Sequence, residues 1–261
     1  MNSLLDIAIA AAKHAGDEII KLYATTTHET KDDGSPVTVA DMRSNEILTD
    51  HLSKTNITIL SEESEGIATP YPEQMWIIDP LDGTKDFLEK TGDFSVMIGL
   101  LENGRPTLGV VYVPVHDILY YATKGSGAFL LSKEVTTRLS ISDKPTSPLR
   151  FLRSVHNFSP YMKAVTEKLS AQLLPRGSIG VKAGILCSNA GDFFFSLGNF
   201  GEWDVCAPEI ITLEAGGSVT DCEGNPLFYG TKNHRVEHGI LFSNTACYKN
   251  VLDAIRTTPK E

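Results

Sequence analysis

Leu4, Leu5, Ala8, Ala11, Ala12, Ala15, Ile19, Ile20 and Tyr23 recur at helical spacing, which predicts an amphipathic helix over 4–23 with Ser3 as its cap. A polar stretch, 25–35, ends in the turn signal Asp33-Gly34-Ser35-Pro36. A second helix is expected over 42–52, then a strand over 56–60 that ends at Ser61-Glu62-Glu63. A Gly- and Pro-containing loop, 66–72, leads to a buried strand ending in Trp76, Ile77 and Ile78. Four apolar or alternating runs follow at 94–101, 107–113, 118–123 and 128–131. The turns between them are of the types Glu-Asn-Gly, Pro-Val-His-Asp and Gly-Ser-Gly, the pattern of an antiparallel meander.

Beyond the linker candidate KPTSP at 144–148 the pattern alternates differently. Strands are expected at 151–155, 192–197, 218–220 and 240–243. Helices are expected at 161–169, 180–189, from Trp203-Asp204 through Glu214, and at 248–256. Gly216-Gly217 stops the third of these helices, and 223–226 forms a turn. The predicted class is α+β in two halves. Residues 1–145 combine helices with an antiparallel sheet, and 146–261 form a smaller layered α/β half.

The 261 residues give ample core for one large domain or two small ones. A formal net charge of −10 argues against non-specific nucleic-acid binding through a basic face. It leaves open an anionic substrate at a site that carries its own cations. Cys187, Cys206, Cys222 and Cys247 form no CxxC pair, so neither a zinc knob nor a redox motif is suggested. They read as reduced, buried thiols, and the expected compartment is the cytoplasm. Asp6, Lys13, His14, Asp17 and Glu18 interrupt the N-terminal segment and argue against a signal peptide or membrane span.

The chemistry concentrates in WIIDPLDGTKDF, 76–87. Asp79, Asp82 and Asp86 follow the buried strand within a few residues, and Pro80 and Gly83 predict a tight loop rather than a continued strand. Carboxylates crowded at a strand end repel one another unless a cation neutralises them, and hard oxygen ligands favour Mg²⁺. The N–H groups of Gly83 and Thr84, opening a short helical segment, suit a phosphate. From spacing alone, Asp79 and Asp82 read equally as solvated turn residues. Glu62 and Glu63 also close a strand, and alone they read as an exposed pair at a loop start. Asp41 and Asp204 each stand where a helix begins, the ordinary place for a capping Asp.

DPLDGTKDF, with SEES before it and WDVCAPEIITLEAGG after it, resembles the inositol monophosphatase superfamily of Mg²⁺-dependent, lithium-sensitive phosphatases. KDDGSPVTVAD and GVVYVP extend the likeness over nearly the whole chain. Lys85 after DPLDGT, SPVT before Asp41, and WDVCAPE resemble the branch of 3′(2′),5′-bisphosphate nucleotidases. Those enzymes remove a phosphate from 3′-phosphoadenosine 5′-phosphate; some relatives take inositol phosphates or fructose bisphosphate instead. A phosphatase fold kept for a binding role would have lost a ligand carboxylate, and none is missing here.

The resemblance implies a layered αβαβα sandwich like that of inositol monophosphatase and fructose bisphosphatase. It also implies a homodimer and two or three Mg²⁺ ions. Glu62, Asp79 and the carbonyl of Leu81 would hold one ion, and Asp79, Asp82 and Asp204 a second. Gly83 and Thr84 would bind phosphate through their N–H groups. The Thr84 hydroxyl, oriented by Asp41, would position the attacking water, with Glu63 as a second candidate. Lys85, His156, Ser178, Lys182 and Asp204 would contact the substrate, Lys182 meeting the second phosphate. The RSVH stretch holding His156 has one residue more than the family's RSH element, and Lys182 by itself reads as a solvated helix residue.

Overall fold

The computed structural model describes residues 3–24, 28–30, 36–64, 66–144 and 146–259. Helix α1 (Leu4–Leu22) starts at a capping box in which Ser3 and Asp6 satisfy each other's backbone N–H groups, and it buries Ala8, Ala11, Ala12, Ala15 and Ile19. Strands β1 (His28–Thr30) and β2 (Pro36–Thr38) pair antiparallel and feed α2 (Val39–Leu52). The expected turn at 33–36 lies outside the described residues apart from Pro36.

Helix α2 begins three residues before the predicted start. The cap is Thr38, whose side chain accepts from the N–H groups of Ala40 and Asp41, while Asp41 accepts in return from Thr38 N–H. Asp41 is therefore the third helical residue of a capping box rather than the cap itself.

The chain continues through β3 (Thr58–Ser61), β4 (Gln74–Asp82), α3 (Thr84–Glu89), β5 (Ser95–Glu102), β6 (Arg105–Val113), β7 (Ile118–Thr123), β8 (Gly127–Ser132) and β9 (Val135–Leu139). The seven strands β3 to β9 form one sheet in sequence order. All pairs are antiparallel except β3 with β4. Strand β4 does not stop at Ile78 as its sequence suggests; it runs to Asp82, with its register against β5 slipping between Asp79 and Asp82. That irregularity lets Asp79 and Asp82 both leave the regular alternation of a strand.

The remainder is β10 (Arg150–Ser154), α4 (Pro160–Lys168), β11 (Gln172–Arg176), α5 (Ile179–Cys187), β12 (Phe193–Ser196), β13 (Phe200–Gly201), α6 (Glu202–Glu214), β14 (Gly217–Thr220), β15 (Arg235–Val236), β16 (Ile240–Asn244) and α7 (Thr245–Thr257). A second sheet has the order β11-β10-β12-β16-β14.

The side chains of β4 show how the layers stack. Trp76 and Ile78 join the core under α1 and α2, whereas Met75 and Ile77 join the core shared with α5 and α6. Both faces of the sheet are covered, which is why β4 reads as a continuous apolar run. Helix α6 packs on β5 and β6 and also on β14, so it lies between the two sheets. Gly99 and Gly109 admit it: a Cβ on either would lie 2.4 Å from Cys206 Sγ or 2.6 Å from the Ala207 carbonyl oxygen. Helix α7 packs on β14, β16 and α4 beyond the second sheet. The architecture is an α+β, five-layer αβαβα sandwich. Among the described residues, no helix is long and apolar enough to cross a membrane.

Candidate metal centre

Three elements deliver the carboxylates. The end of β4 supplies Asp79 and Asp82, the first turn of α6 supplies Asp204, and the turn after β3 brings Glu62 to their side. One ligand oxygen from each of Asp79, Asp82 and Asp204 lies within 4.8 Å of the others. Glu62 stands outside that tight trio, but its charge acts on both Asp79 and Asp204. The Glu62 N–H donates to the Ile78 carbonyl at 3.3 Å, which fastens the turn to β4 just before Asp79.

Each Asp is aimed by backbone or hydroxyl donors. Asp79 Oδ1 accepts from Leu81 N–H at 3.0 Å, while its Oδ2 is buried with no hydrogen-bond partner among the described residues. Asp82 Oδ2 accepts from Gly180 N–H at 2.8 Å, from Ser95 Oγ at 3.3 Å and from Ser178 Oγ. Asp204 Oδ2 accepts from Gly201 N–H at 2.6 Å, which ties the third residue of α6 back to the backbone of its glycine N-cap. Asp204 is therefore the third helical residue rather than the cap its position suggests, and it also faces the other carboxylates.

Electrostatics make this arrangement costly on its own. Burial pushes the carboxyl of Asp79 well above the usual range, and the charges of Glu62, Asp82 and Asp204 push it further. Burial, then Glu62 and Asp82, do the same to Asp204. Asp82 is raised by burial too, against the pull of Ser178, Gly180 and Lys182. A buried oxygen without a donor, surrounded by like charges, is a position that a hard cation satisfies and a hydrogen bond does not. The all-oxygen donor set fits Mg²⁺.

The neighbouring loop carries the other residues expected at the site. Gly83 caps α3 with φ +94°, a conformation that glycine adopts without strain. The Thr84 hydroxyl lies 3.0 Å from Asp41 Oδ1 and 3.3 Å from the Leu81 carbonyl oxygen. Asp41 is buried, its other oxygen held by Thr38, and burial raises its pKa. Glu63 is half-buried, with its N–H on Ser61 Oγ at 3.3 Å. Lys85 is exposed on the first turn of α3.

The other residues expected to meet substrate differ in how they are held. Lys182 is 8% exposed, not solvated. Burial lowers its pKa, the charges of Asp82, Asp86, Asp204 and Asp93 oppose that, and its Nζ sits 5.3 Å from the Phe194 ring centre. His156 is held away from the trio: its Nε2 is 3.1 Å from Asp86 Oδ2 and its Nδ1 3.8 Å from Glu89. Ser178 caps α5 and donates to Asp82, so its hydroxyl is engaged inside the protein.

Sequence reasoning missed Ser95, Gly180 and Gly201, the donors that aim Asp82 and Asp204. It also left Asp86 without a partner, although Asp86 is buried and holds His156 and Thr91. A polar Ser95 opening the apolar run 94–101 was the available signal for the first of these.

Known proteins resemble this chain in sequence and fold. The model of the inositol monophosphatase family matches residues 1–255. The 3′(2′),5′-bisphosphate nucleotidase CysQ of Aggregatibacter actinomycetemcomitans is 32% identical over 252 residues, covering 93% of each chain. CysQ of Escherichia coli K12 is 29% identical over 247 residues, covering 92% of this chain and 99% of that one. The crystal structure of CysQ from Bacteroides thetaiotaomicron superposes with a TM-score of 0.82 at 28% identity, covering 92% and 97%. The inositol monophosphatase structure from Thermotoga maritima gives a TM-score of 0.83 at 25% identity over 97% of each chain. With its fold, its converging carboxylates and its full-length match in agreement, the chain belongs to the inositol monophosphatase family of phosphatases.

Proposed function

We propose that the protein is a Mg²⁺-dependent phosphomonoesterase that hydrolyses 3′-phosphoadenosine 5′-phosphate to AMP and phosphate by direct in-line attack of water. The observation that carries this reading is the buried, donor-free oxygen of Asp79 among three converging carboxylates. Asp79, Asp82 and Asp204, with Glu62 and the Leu81 carbonyl, would hold the two or three ions. When bound, the cation supplies Lewis-acid stabilisation of phosphoryl charge and acidifies the water it holds.

The chain's own groups do the remaining work. The N–H groups of Gly83 and Thr84 bind phosphate oxygens at the head of α3. The Thr84 hydroxyl, 3.0 Å from Asp41, orients the attacking water. Asp41 is a stronger proton acceptor than a surface Asp because burial raises its pKa, and it takes the proton through Thr84. Glu63 is the second candidate for positioning the water. Lys182 meets the second phosphate, Lys85 is a further substrate contact, and His156, held by Asp86, marks the nucleotide side with Ser178. Residues 1–145 provide most of the ion site and 146–261 provide Asp204 and the nucleotide contacts. The same reading includes a cytoplasmic homodimer and inhibition by lithium.

The substrate assignment draws on the relatives named bisphosphate nucleotidase, at 29–32% identity. The close superposition on an inositol monophosphatase favours inositol 1-phosphate as the second reading. Phosphate release from 3′-phosphoadenosine 5′-phosphate, inositol 1-phosphate and fructose 1,6-bisphosphate, each with and without Mg²⁺, separates them. The bisphosphate nucleotide is expected to give the highest kcat/KM, and no substrate is expected to turn over without Mg²⁺. Lys182→Ala is expected to raise KM for the nucleotide about 10-fold or more, the cost of one lost charge-assisted contact. Its effect on inositol 1-phosphate should stay within about twofold. Equal losses on all three esters contradict the lysine contact. Faster release from inositol 1-phosphate selects the second reading, and no release from any ester would point to a binding protein.

A further inference from the structure

A buried polar chain that the reaction does not use ties together the two segments that supply Glu62 and Asp204. His234 is 8% exposed, and its Nε2 accepts the Ile67 N–H at 3.1 Å. A backbone N–H only donates, so Nε2 is the bare nitrogen of a neutral ring and Nδ1 carries the proton. Nδ1–H therefore donates to the Tyr71 hydroxyl at 2.5 Å, and that hydroxyl donates onward to Glu202 Oε2 at 2.8 Å. The rings of Tyr71 and His234 stack with centroids 5.7 Å apart and planes 20° from parallel.

Glu202 is fully buried, and its Oε1 accepts from Gly230 N–H, Thr231 N–H and Thr231 Oγ1, each at 3.0 Å. Its own N–H donates to the His234 carbonyl at 2.9 Å. One end of the chain therefore grips 66–71, the segment that leaves the turn of Glu62 and Glu63. The other end is the first residue of α6, two before Asp204.

We infer that Tyr71, His234 and Glu202 are positioning residues for the cation centre: they hold the Glu62 turn against the head of α6. This rests on the reading of the carboxylates as a Mg²⁺ site. The physical need is plain. Glu62, Asp79, Asp82 and Asp204 repel one another before a cation arrives, and Glu62 and Asp204 come from segments far apart in sequence. A buried network in which both Glu202 oxygens, the Tyr71 hydroxyl and both His234 ring nitrogens are paired resists that repulsion without contributing a ligand.

The test uses full-length, metal-stripped protein. Tyr71→Phe removes one oxygen and keeps the ring on His234. Calorimetric titration with Mg²⁺ is expected to show Kd raised about 10-fold or more, the range found when groups that orient metal ligands are lost. The rate at saturating Mg²⁺ should stay within about twofold, and the Ile67 amide should exchange with solvent faster. His234→Gln keeps an acceptor and a donor, so it is expected to bind Mg²⁺ more tightly than His234→Ala and to serve if Tyr71→Phe does not fold.

An unchanged Kd in Tyr71→Phe, whatever happens to Tm, overturns the inference while the Mg²⁺ site stands. Wild-type protein that takes up no Mg²⁺ removes the site reading, and the inference with it.

Discussion

Asp79→Asn is expected to lower kcat by about 10³-fold or more, equivalent to ~4 kcal/mol of transition-state stabilisation. Among the described residues, Asp79 is the one carboxylate with a buried oxygen that has no hydrogen-bond partner. It is also pressed by all three of the other acidic groups. A neutral amide keeps the volume and the contact with Leu81 N–H, but it loses the charge that a cation needs. The substitution carries a second expectation with the opposite sign. It relieves a buried like-charge cluster, so the metal-free variant at pH 8 should melt above metal-free wild type. A rate within 10-fold of wild type, or a metal-free variant less stable than wild type at that pH, contradicts the role given to this residue.

Chelation should be the next largest effect, and it should depend on pH. The carboxyl pKa values of Asp79, Asp82 and Asp204 are raised in the folded, cation-free protein. In the unfolded chain these groups ionise first as pH rises through the ordinary carboxylate range, near ~4. The unfolded state then binds fewer protons than the folded state, so the cation-free fold loses stability as pH rises. A bound cation reverses this by favouring the ionised carboxylates.

Protein stripped of metal beforehand is therefore expected to melt roughly 5–10 °C below Mg²⁺-saturated protein at pH 8. That corresponds to ~2.7 kcal/mol for an ion at 100 times its Kd. At pH 5 the drop should be less than half as large, because protons compete with the cation. Differential scanning calorimetry at the two pH values decides the matter. An equal drop at both, or none at pH 8, contradicts the electrostatic account.

The sequence makes some features of this molecule legible because they depend on local pattern. The helical spacing of the alanines fixes α1, and the turn signals separate β5 to β8. Glu62, Asp79, Asp82 and Asp204 are a different matter: spacing alone leaves them as turn, loop or capping residues, and only the family resemblance singles them out as ligands. Other features depend on what the chain meets after folding. Strand β9 presents Val135, Thr136, Thr137 and Arg138 to solvent, so it carries no apolar run to betray it. Strand β11 is an edge strand of the same kind.

The donors on Asp82 come from β5 and the head of α5, far away in sequence, and only tertiary contact joins them. Lys182 is a different case. Its helix, IGVKAGILC, is apolar on every side, and such helices are buried whole. That signal was present, and it argues against a solvated lysine. The extension of β4 to Asp82 was hidden by Pro80, which ordinarily stops a strand but here sits where the register with β5 slips.

The most direct test is a crystal of the protein grown with Mg²⁺. An ion is expected with oxygens of Asp79, Asp82 and Asp204 at about 2.1 Å, the distance this cation demands. Density at saturating Mg²⁺ that leaves those carboxylates without an ion, or that puts the ion elsewhere, contradicts the account.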